Sequence, residues 1–472
     1  MDNLLSNIDT ILADNSDITS VLDEHEKYYL KNLISQYNNN LIELCERSDL
    51  LKESEVKLNL LNTIIHLIFK NSNSKEELIK NSFNNSDIKI TQLLATTFEL
   101  SKYIFDEKFK QNKLSDIRCL ENVTMLGLLS EKTVELDSLL QERLKYINQL
   151  DIDLEYKNIE EKLDFLTSKF FILLSSHIAT KKEVLFILNL ESELDLLLEE
   201  AQNKLIDSDE QFIEFGLKVS ASANIIYLLK EFFYYCRYGE FEDGNSFSSK
   251  LDTYIFNTIK IHEYLNDKEK VVKYTLLRFA LIELFNLSIW SLADKSPTIN
   301  KFIRSLTNEA SEEIIFNLLP SQKKATKDLF SAKKSVVVTM PTSAGKTLIG
   351  ELYILYKMHQ YNVDGYPTVC YIVPTNALVN QVQSEFKEKF KSFDFNIEIA
   401  LPYFDIDEIE DEILRDKPIH ILITTPEKLD FLIRQDHPSL DNLKLVVLDE
   451  AHNIGSKDRG SKFELLLSAI KQ

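Results

Sequence analysis

Apolar residues recur at three- and four-residue steps through most of the first 296 positions, a period that predicts one amphipathic helix after another. In 56–69 the set Leu60, Leu61, Ile64, Ile65, Leu67 and Ile68 forms one stripe; in 185–198 Leu185, Leu188, Leu190, Leu194 and Leu197 do the same. Segments 225–235 and 271–292 read alike, and breaks rich in Asn, Ser and Asp at 71–75, 84–87 and 242–249 separate the helical stretches. Beyond position 297 the period changes. Short β-branched runs at 335–340, 368–373, 396–401, 419–424 and 444–449 alternate with amphipathic segments such as 347–361 and 377–390. Apolar strands alternating with helices predict a parallel sheet covered on both faces, and such sheets bind ligands beyond the carboxyl ends of their strands.

Proline marks the change. All nine prolines fall at or after Pro297, and only four of the nine glycines precede it. Both residues interrupt helices, so their scarcity leaves helix as the default for the first part. The expected organisation is α plus α/β: residues 1–296 as an all-helical accessory, partner-binding array, and 297–472 as a parallel-sheet domain. No 34- or 40-residue repeat identifies a named solenoid.

Charge refines this picture. The net −21 divides into −17 for residues 1–296 (33 basic, 50 acidic) and −4 for the rest (21 basic, 25 acidic). This balance argues against nucleic acid held by bulk positive charge and leaves room for a local basic groove. Cys45, Cys119, Cys236 and Cys370 are far apart, without metal-ligand or disulfide spacing. The N-terminus has no basic region followed by an apolar core, so it does not read as a secretory signal. The most apolar stretch, 274–293, is interrupted by Arg278, Glu283 and Asn286 and reads as a buried helix. Together these features predict a cytoplasmic protein with no membrane partner.

Candidate chemistry sits at the predicted strand ends. The run 335–340 leads into Pro341, Thr342, Ser343, Ala344, Gly345, Lys346 and Thr347, and then into a helix. Turn amides and a helix N-terminus cradle phosphate; Lys346 reaches the β- and γ-phosphates, and Thr347 ligates Mg²⁺. A GKT tripeptide alone is weak evidence, and the strand before and helix after give it meaning. Met340 stands where the general P-loop pattern begins with Gly. Strand 443–448 then ends in Asp449, Glu450, Ala451 and His452. Asp449 suits Mg²⁺ and Glu450 the attacking water, whereas His452 reads as structural.

MPTSAGKT followed by VLDEAH resembles a DExH-box helicase of superfamily 2. The resemblance implies a first RecA-like domain over about 315–472, with ATP and Mg²⁺ as cofactors. It implies that Gln322, in Leu319-Pro320-Ser321-Gln322, reads the adenine edge. Pro374, Thr375 and Asn376 resemble motif Ia, and Thr425 and Pro426 resemble motif Ib; both motifs would contact the DNA or RNA backbone without reading sequence. Arg459, in the stretch after the DEAH segment, resembles the superkiller-like branch, as does GKTLIGE. Because the sequence stops soon after 449–452, the expectation is a domain truncated after the DEAH motif. A second RecA-like domain would then come in trans or from a missing C-terminal part. The chain alone is expected to bind ATP·Mg²⁺ and hydrolyse it poorly. The competing reading is a non-catalytic, nucleotide-switched scaffold built on the helical part, which would have no need of Lys346, Asp449 and Glu450 together.

Overall fold

The computed structural model describes residues 27–28, 31–32, 34–35, 50–70, 86–110, 117–147, 158–206, 212–308, 313–340, 345–361, 367–400, 418–452, 466 and 468. The chain forms two compact units. One comprises Met1–Ser291 and Leu306–Pro320, the other Leu292–Ser305 and Ser321–Gln472.

The first unit is built from α1 (Leu50–Phe69), α2 (Ser86–Lys110), α3 (Ile117–Leu129), α4 (Thr133–Ile147), α5 (Ile159–Leu174), α6 (Lys181–Ile206), α7 (Phe212–Tyr238), α8 (Phe247–Tyr264) and α9 (Lys268–Leu287). Polar side chains start three of them: Asn158 accepts from Glu160 N, Ser246 from Ser249 N and Asp267 from Lys270 N. Each such cap is worth about 1 kcal/mol. The apolar stripes meet in an aromatic-rich core, where Phe69 and Phe279 stack edge-on at 4.4 Å. Among its polar groups, Lys273 bridges Glu121 (2.9 Å) and Asp164 (3.0 Å), and Lys270 also reaches Asp164 at 2.5 Å. Burial opposes ionisation of Asp164, but Lys273 and Lys270 together hold its carboxyl well below the usual range.

Two details depart from the sequence pattern. The helix expected over 271–292 stops at Leu287, because Ser288 turns to an extended backbone and a short 3₁₀ segment, Ile289–Lys295, follows. The neighbouring backbone takes up the freed groups: Ile289 N donates to Phe316 O (3.0 Å) and Leu318 N to Leu287 O (2.7 Å). The unit also contains a small antiparallel ladder between β1 (Ile178–Thr180) and β2 (Glu313–Ile315). Three residues are too few to express a two-residue period, so no sequence signal pointed to it.

The second unit holds α10 (Pro297–Leu306), α11 (Pro320–Ser331, from Ser321 onward), α12 (Lys346–Tyr361), β3 (Thr368–Ile372), α13 (Asn376–Lys389), β4 (Ile397–Ala400), β5 (Ile421–Thr424), α14 (Pro426–Arg434) and β6 (Leu443–Leu448). Its sheet runs β4-β5-β3-β6 with every pair parallel. Central strands β3 and β5 are buried along their whole length, which explains their unbroken apolar sequences. Helix α12 packs on β3 and β6, and α13 on β4 and β5. Helix α10 presses Phe302 against Phe390 and Phe393 beyond the end of α13.

One expected strand is absent. Residues 335–340 form no ladder, and Val336 and Val337 are 44% and 84% exposed. The β-branched run has the propensity, but a strand needs a neighbour's backbone. Among the described residues β6 pairs only with β3.

Candidate nucleotide site

The sheet register brings the candidate motifs to one edge. Ile372 of β3 pairs with Thr424 of β5 on one side and with Leu448 of β6 on the other. The ladders continue one step: Val373 N donates to Thr424 O and Asp449 N donates to Ile372 O, each at 2.9 Å. The chain therefore leaves the sheet side by side at Pro374-Thr375-Asn376, Thr425-Pro426 and Asp449-Glu450. Helices α13 and α14 begin there with their N-termini directed to this edge, an arrangement that favours anions.

Gly345 and Gln322 define the phosphate side. Gly345 has φ +64°, in the left-handed region, and a Cβ there would lie 2.4 Å from Gln322 Nε2. Gln322 is 1% exposed and donates through Nε2 to Gly345 O at 3.3 Å. The amide expected to read adenine is thus fastened to the turn before α12. Lys346 is half-buried at the first position of α12, and Thr347 is exposed beside it. Thr342, Ser343, Ala344 and Arg459 lie outside the described residues.

The carboxylate side is held as firmly. Asp449 Oδ1 accepts from Glu450 N at 2.8 Å, and Asp449 Oδ2 accepts from the Tyr371 hydroxyl at 3.3 Å. Glu450 has φ +49°, a conformation that is uncommon outside glycine and recurs at functional turns. His452 Nδ1 lies 3.0 Å from Glu450 Oε2 and is largely exposed. A left-handed Gly345 directly before α12 with no room for a Cβ, an exposed Thr347 and an oriented carboxylate at Asp449 fit a nucleotide phosphate with Mg²⁺.

The two motif threonines differ. Thr375 is exposed and makes no cap hydrogen bond, as suits contact with a polymer backbone. Thr425 is 2% exposed, and its Oγ1 is buried without a hydrogen-bond partner. Pro426 beside it is buried as well, so neither side chain expected at that motif stands free to meet a polymer backbone.

Sequence reasoning missed Tyr371, Glu351 and Lys389. Tyr371 is buried on β3, edge-on to Phe386 of α13 at 5.1 Å. Burial, reinforced by Asp449, pushes its phenol upward, so the hydroxyl remains a donor. Glu351 of α12 is 1% exposed, and Lys389, the last residue of α13, donates to its Oε1 at 2.7 Å. Burial raises the Glu351 carboxyl and Lys389 opposes the shift. The one available sequence signal was a tyrosine in an otherwise apolar strand, since a buried hydroxyl requires a partner.

Residues 319–472 match the DEAD/DEAH box helicase family. A stretch of 162 residues is 37% identical to the ATP-dependent DNA helicase Hel308 of Methanocaldococcus jannaschii, covering 34% of this chain and 13% of that protein. Hel308 of Methanococcus vannielii is 35% identical over 172 residues, 36% of this chain and 22% of the relative. The ATP-dependent DNA helicase MER3 of Saccharomyces cerevisiae is 35% identical over 153 residues, 32% of this chain and 12% of the relative. The similarity thus spans between about an eighth and a fifth of these relatives' length. No described helix is long and apolar enough to cross a membrane.

Proposed function

We propose, taking residues 319–472 as the first RecA-like region of a superfamily 2 DEAD/DEAH-box helicase, that this chain supplies the ATP-binding lobe of a nucleic-acid translocase. The observation that supports this most directly is the register of β3 with β5 and β6. It sets the motif Ia and Ib segments and Asp449-Glu450 along one sheet edge.

In this reading Gln322 and residues Thr342 to Thr347 bind ATP: Gly345 permits the close turn, and Lys346 neutralises the outer phosphates. Thr347 and Asp449 hold Mg²⁺, which screens phosphate charge when bound. Glu450 orients the attacking water. Thr375, Asn376 and Arg459 contact the sugar–phosphate backbone of a single strand, and the buried Thr425 and Pro426 shape the edge beside them. DNA is the favoured strand, because the matched relatives are DNA helicases by name. Turnover requires a second RecA-like lobe whose arginines face the γ-phosphate, a contribution of about 10³-fold or more in related NTPases. The acidic helical unit serves as the accessory, partner-binding part.

The test is titration of the full chain with a fluorescent ATP analogue in Mg²⁺, comparing wild type with Lys346→Ala. At least a tenfold loss of affinity is expected in the variant. Equal affinity, or none in either protein, overturns the reading and favours a scaffold.

A further inference from the structure

We propose that Tyr371 is a positioning residue for Asp449, orienting the carboxylate toward the Mg²⁺ that accompanies ATP. The proposal rests on the assignment of Asp449 as that metal carboxylate.

Asp449 lies one residue past β6, where its side chain would rotate freely without further restraint. Two contacts on the carboxylate restrain it, and a third fixes the backbone that carries it. Its backbone N–H is tied to Ile372 O at 2.9 Å. Its Oδ1 accepts from Glu450 N at 2.8 Å, and its Oδ2 from the Tyr371 hydroxyl at 3.3 Å. Each oxygen has one donor and retains acceptor capacity for a metal ion or its water. Two of the three contacts come from β3, the strand beside β6, so the carboxylate is oriented by the sheet itself.

Tyr371 is fixed in its turn. It is 5% exposed, and its ring stands against Phe386 at 5.1 Å with the planes 72° apart. Successive strand residues face opposite ways, and Cys370 and Ile372 pack with Leu429 on the other face of the sheet. Phenylalanine would supply the same ring contact with Phe386. The hydroxyl is what tyrosine adds at this position, and its partner is Asp449.

Phe386 also links this arrangement to α13, which begins in the motif Ia segment. The ring that orients the metal carboxylate therefore rests on the helix whose N-terminus faces the proposed strand-binding edge.

The experiment titrates free Mg²⁺ against binding of a fluorescent ATP analogue to the full chain, wild type and Tyr371→Phe, with metal-free binding measured in parallel. Loss of a hydrogen bond to a charged group is expected to raise the half-saturating Mg²⁺ concentration by about fivefold. Metal-free affinity and the melting temperature should stay close to wild type, a combination that a purely structural tyrosine does not produce. An unchanged Mg²⁺ midpoint overturns the proposal and leaves the ATP site standing. A wild-type protein whose nucleotide binding ignores Mg²⁺ overturns the Asp449 assignment, and this proposal with it. Equal losses with and without metal assign Tyr371 to packing alone and also overturn it. Should Tyr371→Phe fail to fold, site-specific 3-fluorotyrosine at 371 changes the donor and little else. A shifted Mg²⁺ midpoint then supports the proposal, and an unshifted one overturns it.

Discussion

The side-chain amide of Gln322 fills the space that a side chain on Gly345 would need: Nε2 donates to Gly345 O at 3.3 Å and sits 2.4 Å from where a Cβ on Gly345 would lie. Gly345→Ala therefore meets a clash and a left-handed backbone together, the latter costing about 1–2 kcal/mol. At least a tenfold weaker ATP affinity is expected in nucleotide titration. In a Gln322→Ala background the clash disappears and the backbone strain remains. The second substitution should then cost less than it does alone, which a double-mutant cycle measures directly.

The ion pair between α12 and α13 yields a stability prediction. Lys389→Met leaves the Glu351 carboxylate, 1% exposed, without its cation. Lys389 is 40% exposed, so the cost falls below that of a fully buried pair, at about 1–2 kcal/mol in urea unfolding at pH 7. Glu351 has a raised folded pKa, so the folded state takes up its proton before the unfolded chain does. The penalty should shrink as pH falls toward the ordinary carboxyl range. Adding Glu351→Gln should recover most of it.

Lys273 serves two carboxylates at once, Glu121 and Asp164. Lys273→Met should destabilise the helical unit by about 3 kcal/mol. Asp164 is depressed in the folded state, so its stabilisation is complete above its unfolded pKa and is lost as pH falls through the folded one. Wild type should therefore keep this contribution down to about pH 4 and lose it below, whereas acid unfolding of the variant should begin at higher pH. Circular dichroism along an acid titration distinguishes the two.

Lys169 is a cation among rings. It is 5% exposed, and its Nζ lies 4.4 Å from the Phe186 centroid and 5.9 Å from that of Phe165. Burial pushes its ammonium down to about 8, with Glu193 opposing. The folded state then releases this proton before the unfolded chain does, so stability should rise as pH climbs from about 8 toward roughly 10.4. Lys169→Met should remove that rise and stabilise the protein at pH 7 by about 2 kcal/mol, a linkage gain of about 3 less about 1 for the lost ring contacts, read as the difference between the two denaturation curves across pH.

How much was legible in sequence depended on whether a feature was local. Strands β3 and β5 announced themselves because burial on both faces leaves them without charged residues and mostly apolar. The motifs around Lys346 and Asp449 stood out because their residues are consecutive in the chain. Residues 335–340 carried the same β-branched signal as β3, yet pairing depends on a neighbour that propensity does not encode. The stop at Ser288 comes from backbone groups at Phe316 and Leu318, distant in sequence. The Tyr371–Asp449 and Glu351–Lys389 contacts were invisible for the same reason, since each joins residues that only the fold brings together. Thr425 looked like Thr375 in sequence, and burial alone separates them.

The route of the chain carries a consequence for inheritance. It leaves the helical unit after Ser291, contributes Leu292–Ser305 to the parallel-sheet unit, returns for Leu306–Pro320 and leaves again at Ser321. Three junctions divide the two units, so a single recombination point cannot exchange one for another. A graft at any one junction would strand either the Phe302 helix or the β2 strand in the wrong host. Exchange of either unit as a whole therefore requires a join at each of the three junctions.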